Sequence, residues 1–165
     1  MCGFFFIKKK VKFEFNQKKL NSSADLISHR GPDGTKIYQD KDVFIKFFRL
    51  SIQDLSKNGM QPMISNSGSK LIVFNGEIYN FKSLRNILKK KDLKSKTDTE
   101  VILQLFEEIG LKIFQKMKGM YSLIIYDLKT KKILVARDQF GIKPLYFFEN
   151  KKYLIFSSEI KPILE

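Results

Sequence analysis

The chain has 165 residues, 43% of them hydrophobic, with 31 Lys and Arg against 17 Asp and Glu, a formal net charge of +14. That length suits one domain, and that apolar share builds a sizeable core and excludes intrinsic disorder despite the charge. No apolar run approaches the roughly 18 residues of a membrane span, and Phe4–Ile7 is shorter than the roughly 7–15-residue core of a secretory signal, so the chain reads as cytoplasmic, with no membrane partner.

From the N-terminus, Gly3 to Phe15 mixes aromatic, β-branched and Lys residues, and Val11–Phe15 alternates with period two, which is strand patterning. Residues 17–28 read as a helix with Leu20, Ala24 and Ile27 on one stripe. Arg30-Gly31-Pro32-Asp33-Gly34 has the composition of a turn. Residues 36–49 read as two short strands broken at Asp40-Lys41-Asp42. Residues 51–69, with Gly59, Pro62, Asn66 and Gly68, read as a long loop of the kind that often carries function. Leu71–Phe74 is a buried strand that runs into a sharp turn at Asn75-Gly76-Glu77, and a helix follows over 80–90. A second helix starts near Asp98: Val101, Ile102, Leu105, Phe106 and Ile109 form its apolar face, Thr97 with Glu100 forms a capping box, and Gly110 ends it. Strands return at 121–127, 132–137, 144–148 and 153–157. Helices set between two strand-rich halves give an α+β fold with two sheets and helices outside. The last residues, Ser158–Glu165, stay apolar to the penultimate position, as in a chain that stops at a domain boundary or docks on a partner.

A single Cys excludes an intrachain disulfide, and one His with one Cys cannot supply the usual three or four ligands of a zinc site, so no metal is expected. Neither common nucleotide-phosphate loop, G-x-x-x-x-G-K-[ST] or G-x-G-x-x-G, is present. The basic residues are Lys except for Arg30, Arg49, Arg85 and Arg137, and they lie in scattered clusters. Base-reading proteins lean on Arg forks, so no specific nucleic-acid partner is expected. The 16 Phe against two Ala fit an A/T-rich coding sequence better than a polyanion ligand.

Cys2 directly follows Met1. Removal of Met1 leaves a residue whose thiol and free α-amino group are neighbours. Such an amine titrates near 7.7–8.0 in ordinary peptides, roughly at working pH. It can take the thiol proton and later deliver a proton to a leaving amine, so no Cys/His pair is needed. The partner feature is Asn75-Gly76 after a buried strand. An Asn side-chain amide with a Gly backbone N–H can make an oxyanion hole, with each donor worth about 2.7–4 kcal/mol.

Further motifs extend these two. Met1-Cys2-Gly3, Arg30-Gly31-Pro32-Asp33, Arg49-Leu50-Ser51-Ile52, Gln61-Pro62-Met63, Phe74-Asn75-Gly76-Glu77-Ile78-Tyr79-Asn80, Asp98-Thr99-Glu100-Val101-Ile102, Ala136-Arg137-Asp138 and Gly141-Ile142-Lys143-Pro144-Leu145-Tyr146 occur in this order. Together they resemble the N-terminal glutaminase domain of glutamine-hydrolysing asparagine synthetases, a class II glutamine amidotransferase domain of the N-terminal-nucleophile hydrolase type. The resemblance covers essentially the whole chain. It implies a four-layer αββα sandwich with two antiparallel sheets. It also implies Cys2 as nucleophile, Asn75 and Gly76 as oxyanion hole, and Arg49 on the α-carboxylate of glutamine. Leu50 and Ile52 would line the site with backbone groups, and Glu77 and Asp98 would hold the α-ammonium. One Arg and two acids match the charges of the amino acid. Arg30–Asp33 reads as a structural turn near the site, and His29 as a packing or hydrogen-bonding residue. The sequence departs from the family pattern at Phe4-Phe5-Phe6, where a small run is usual, at Phe47 in place of His, and at Gln139 in place of Pro.

The implied reaction is hydrolysis of glutamine to glutamate and ammonia, with ammonia passed to a synthetase domain or subunit. That acceptor's Ser-Gly-Gly-x-Asp-Ser-type loop is not in this sequence. The chain as a whole is therefore expected to be the glutaminase domain, 1–165, with no cofactor of its own; ATP and Mg belong to the synthetase domain. Two alternatives stay open: a glutaminase serving another acceptor, such as a sugar-modifying amidotransferase, and a catalytically silent regulatory domain of the same fold.

Overall fold

A computed structural model describes all residues, 1–165. Nine strands follow one another along the chain: β1 (Gly3–Lys9), β2 (Gly34–Gln39), β3 (Val43–Arg49), β4 (Met63–Ile64), β5 (Lys70–Ile78), β6 (Gly119–Asp127), β7 (Ile133–Arg137), β8 (Tyr146–Glu149) and β9 (Tyr153–Ser157). Four α-helices accompany them: α1 (Gln17–Asp25), α2 (Phe81–Asn86), α3 (Asp98–Ile109) and α4 (Lys161–Leu164). The chain divides into two compact units, residues 1–50 with 144–165, and residues 51–143. Each is built on one antiparallel sheet that carries helices, which is the expected α+β class with two antiparallel sheets.

In the first unit the strand order is β2-β3-β1-β9-β8, so the sheet joins both ends of the chain. Side chains alternate faces along β1. Phe5 and Ile7 enter a cluster with Phe44, Phe48, Ala24, Ile27 and Ile155, against which Leu20 also packs. Phe4 and Phe6 point to the other face and are equally buried. Phe5 meets Phe44 edge-on at 6.4 Å, and Phe6 meets Phe156 edge-on at 6.1 Å. Three bulky rings thus fit after Cys2-Gly3 by alternation, each burial contributing about 1.5–3 kcal/mol. Asn16 caps α1 by accepting from Lys19 N at 3.0 Å. The buried Lys46 of β3 reaches across to α1, where Asp25 (2.7 Å) and Asn21 Oδ1 (3.0 Å) satisfy it.

Two expectations fail here and in the next unit for the same reason, that pairing partners override local pattern. Val11–Phe15 is no strand, because no neighbouring strand pairs with it. Its aromatics fold onto one another instead: Phe13 and Phe15 meet edge-on at 5.7 Å, with the Lys9 ammonium 4.1 Å from the Phe15 ring centre. Nor is Asn75-Gly76-Glu77 a sharp turn. Strand β5 runs straight through it to Ile78, pairing Asn75 with Ser122, Gly76 with Tyr121 and Glu77 with Met120. Gly76 is needed for close approach, not for a reversal: a Cβ there would lie 2.4 Å from Met120 O.

The second unit has the order β4-β5-β6-β7. Ile72, Phe74 and Ile78 of β5 pack with Leu123 and Ile125 of β6 against Val101, Ile102 and Leu105 of α3. The expected long loop, 51–69, holds only a short 3-10 turn at Lys57–Gly59 and the two-residue β4. The expected 80–90 helix stops at Asn86, since the Glu108 carboxylate accepts from the N–H groups of Lys89 and Lys90 and draws the chain off the helical path. Thr97 caps α3 as expected, accepting from Glu100 N at 3.3 Å. The reciprocal half of the capping box is redirected: Glu100 accepts from Lys94 N and Ser95 N, while Thr97 N donates to Ser95 Oγ.

The Arg30–Asp33 turn lies flat on the end of β3. Pro32 bridges to Arg49, and Asp33 N donates to Arg49 O at 3.0 Å. Gly31 is what permits this, because a Cβ there would sit 2.2 Å from the Phe48 carbonyl carbon and 2.4 Å from Arg49 N, both backbone atoms. Gly31→Ala is expected to cost about 1–3 kcal/mol in urea denaturation, by forcing backbone apart. A midpoint equal to that of the parent would show that the turn does not bear on β3.

Candidate active site

In the first unit, register brings Cys2 to the end of β3. Gly3 pairs with Phe48, so the residue before Gly3 falls beside the residues after Phe48. The Cys2 thiol is half-buried and bracketed by the two backbone polar groups of one residue: Leu50 N donates to Sγ at 3.3 Å, and the thiol donates to Leu50 O at 3.5 Å. Arg49, the last residue of β3, is buried and held through the Gly31–Asp33 turn. Arg30 Nε donates to the carbonyl of Cys2 at 3.1 Å. Cys2, Arg49 and Leu50 are therefore together, with Arg30 as a neighbour that sequence reasoning had left to the turn.

In the second unit, Asn75, Gly76 and Glu77 are consecutive on β5, and Asp98 opens α3 beside the end of that strand. Asn75 is 1% exposed, and its amide Nδ2 is buried with no hydrogen-bond partner. Such a donor is rare inside proteins and invites an explanation. Glu77 is exposed and Asp98 buried. The Asp98 carboxylate accepts from Ile78 N (2.9 Å) and Thr99 N (2.8 Å), and Gln53 Nε2 lies at 3.5 Å. Gln53 Oε1 accepts in turn from Asp98 N at 3.1 Å. Burial pushes the Asp98 carboxyl up to about 6, the Glu77 charge pushes the same way, and the Ile78 and Thr99 N–H bonds oppose the rise. Ile52 is 72% exposed.

Residues 1–165 match the family model of a glutamine amidotransferase domain. The chain belongs to that family. It is similar to "Asparagine synthetase [glutamine-hydrolyzing] 2" of Bacillus subtilis, with 45% identity over 144 residues, which is 87% of this chain and 19% of the relative. It is also similar to a putative glutamine-hydrolysing asparagine synthetase of Methanocaldococcus jannaschii, with 38% identity over 184 residues, covering 99% of this chain and 35% of the relative. The chain thus spans between about a fifth and about a third of the length of these curated relatives. Among solved structures, a glutamine phosphoribosylpyrophosphate amidotransferase from B. subtilis, complexed with ADP and GMP, shares the fold at a TM-score of 0.72 and 18% identity, over 98% of this chain and 43% of that one. A structure titled as the allosteric regulatory enzyme of purine biosynthesis does so at 0.75 and 19%, with the same coverage.

Other motifs of this amidotransferase domain find architectural explanations. Gln61 is buried, and its amide brackets the Phe74 backbone: Oε1 accepts from Phe74 N at 2.6 Å and Nε2 donates to Phe74 O at 3.2 Å. This pins β5 just before Asn75. Asp138 organises the turn after β7 by accepting from the N–H groups of Phe140, Ile142 and Lys143, while Arg137 donates to the Lys143 and Gly141 carbonyls. His29 bonds Glu159 at 2.9 Å, as a hydrogen-bonding residue should. No helix is long and apolar enough to cross a membrane.

Proposed function

We propose that this amidotransferase domain hydrolyses glutamine to glutamate and ammonia through a γ-glutamyl thioester on Cys2, and supplies the ammonia to a synthetase-type domain or subunit. The observation that carries the reading is the Cys2 thiol, at the second residue of the chain, held by the backbone N–H and carbonyl of Leu50 beside buried Arg49. Support comes from the relatives, whose names describe glutamine-hydrolysing synthetases.

After loss of Met1, the Cys2 amine takes the thiol proton and sulfur attacks the side-chain amide carbon of glutamine. Asn75 and Gly76 receive the oxyanion. The C–N bond breaks as the ammonium of Cys2 returns a proton to the departing nitrogen. Water then cleaves the thioester, giving glutamate and restoring the thiol. Arg49 takes the α-carboxylate, Glu77 and Asp98 the α-ammonium, and Leu50 and Ile52 contribute backbone groups. ATP and Mg serve only the acceptor. The test is direct: the purified chain, with Met1 shown absent by mass spectrometry, should convert glutamine to glutamate and ammonia in equal amounts. A chain without Met1 that releases neither, alone or with its acceptor, would reject the reading.

The raised Asp98 carboxyl gives a pH signature with two opposite signs. As an ammonium partner, Asp98 works only when ionised, so glutamine affinity falls as pH drops through about 6. In a Cys2→Ala chain, which binds without reacting, calorimetry should show Kd rising about fivefold from pH 6 to pH 5 and about tenfold over pH 7 to 5, and Asp98→Asn should flatten that slope. Stability moves the other way. The fold favours the neutral carboxyl, so this group's contribution is fully present below the ordinary 3.8 and is lost as pH rises through about 6. A glutamine affinity independent of pH between 5 and 7 would remove Asp98 from the ammonium site.

A further inference from the structure

We propose that Glu159 is a positioning residue for this reaction, acting through Arg30 to fix the main chain of Cys2. The inference rests on the Cys2 reading above and extends it to a residue far away in sequence. Glu159 Oε1 accepts from Arg30 Nη1 at 3.1 Å, and Arg30 Nε donates to Cys2 O at 3.1 Å. The Arg30 side chain is only 10% exposed, and its remaining Nη2 is buried without a partner, so Nε and Nη1 alone define how the guanidinium is held. The approach is close: a Cβ on Gly3 would meet Arg30 Cδ at 3.0 Å.

The fold delivers Glu159 to this place by strand pairing. Strand β9 runs antiparallel to β1, and the contact continues past its end. Ser158 N donates to Phe4 O at 3.0 Å, and Ser158 Oγ accepts from Phe4 N at 3.1 Å. Ser157 Oγ accepts from Glu159 N at 3.3 Å. By the same register the residue after this clamp, Glu159, falls opposite Gly3, next to Cys2. Burial, the largest influence on the Glu159 carboxyl, raises it, but the bonds from Arg30 and His29 outweigh that and keep it ionised.

The mechanism gives the carbonyl bond its purpose. Once Met1 is gone, no peptide group precedes Cys2, and its amine is placed only by rotation about the Cα–C bond. Fixing the carbonyl oxygen holds the Cys2–Gly3 peptide plane from which that rotation is made, and so steadies where Cα carries the amine and the thiol together relative to the glutamine amide. Without Glu159, the guanidinium keeps one bond of two and the amine loses its bearing. Glutamine contacts at Arg49 and Asp98 are untouched, so the loss belongs to the chemical step rather than to binding.

The experiment follows the labelling of Cys2 by 6-diazo-5-oxo-L-norleucine, a glutamine-like electrophile, using mass spectrometry on the full chain with Met1 removed. Glu159→Gln should lower the maximal labelling rate about 10–100-fold while the half-saturating concentration changes less than about threefold. Glu159→Asp should fall between Gln and the parent. The double variant Glu159→Gln/Arg30→Ala should be no slower than Arg30→Ala alone, since Glu159 acts only through Arg30. If Glu159→Gln does not fold, as judged by its urea midpoint, the Asp variant is read by the same rate criterion. An undiminished maximal rate, a change confined to half-saturation, or effects that multiply in the double variant would each overturn the inference. A parent chain that does not label at all would overturn the Cys2 reading and this one with it, whereas a labelled parent with unaffected variants removes Glu159 alone.

Discussion

Cys2→Ala is expected to end glutamate release from glutamine, a loss of at least about 10⁴-fold that reaches the assay floor. The sulfur is the only thiol in the chain, so no second nucleophile of its kind can take over. The sole histidine bonds Glu159 instead of the thiol, which leaves the amine of Cys2 itself as the available base. The serine variant should be nearly as inactive, because a hydroxyl is a much weaker nucleophile than a thiol near neutral pH. Folding should survive, since the thiol is only half-buried and bonds the backbone of Leu50 at a strand end. A chain from which Met1 cannot be removed should fail as completely as Cys2→Ala with its sulfur intact, because the base would then be an amide nitrogen. Measurable hydrolysis in Cys2→Ala, or full activity with Met1 retained, would defeat the mechanism at its centre.

The sequence made the strands legible where apolar runs were bounded by turn residues: β2, β3, β6, β7 and β9 fall where expected. The start, cap and end of α3 were equally plain, because Thr97, Asp98 and Gly110 act through local geometry. Legibility failed where a distant partner decides. Val11–Phe15 has the alternation of a strand but no neighbour to pair with. Asn75-Gly76 has the composition of a turn, yet β6 lies alongside and keeps it extended, with Gly76 selected by the nearby Met120 carbonyl. The helix over 80–90 was cut short by Glu108, a side chain from another element. The site shows the same division. Cys2, Arg49, Asn75 and Asp98 stood out by residue type and motif. The Arg30–Glu159 pair did not, because its members lie 129 positions apart and only the β1–β9 register joins them.

Asn75→Ala is expected to cut the rate of glutamine hydrolysis about 10²–10³-fold, equivalent to about 2.7–4 kcal/mol of transition-state stabilisation. The structure gives this residue an unusual energetic position. Its Nδ2 is buried with no acceptor, an arrangement that costs about 1–3 kcal/mol of stability. A donor kept at such cost is explained if an acceptor arrives during the reaction, and the oxyanion of the tetrahedral intermediate is such an acceptor. Gln61 is the device that holds it: by bonding both the N–H and the carbonyl of Phe74, it fixes β5 one residue before Asn75. Activity and stability should therefore separate in the alanine variant, with kcat falling steeply, KM for glutamine nearly constant, and the urea midpoint unchanged or raised. Asn75→Asp should be worse than alanine, since it sets a negative charge where negative charge develops. Proportional loss of rate and stability in Asn75→Ala would instead make the residue a packing element of the β5–β6 ladder, and the unsatisfied donor would need another explanation.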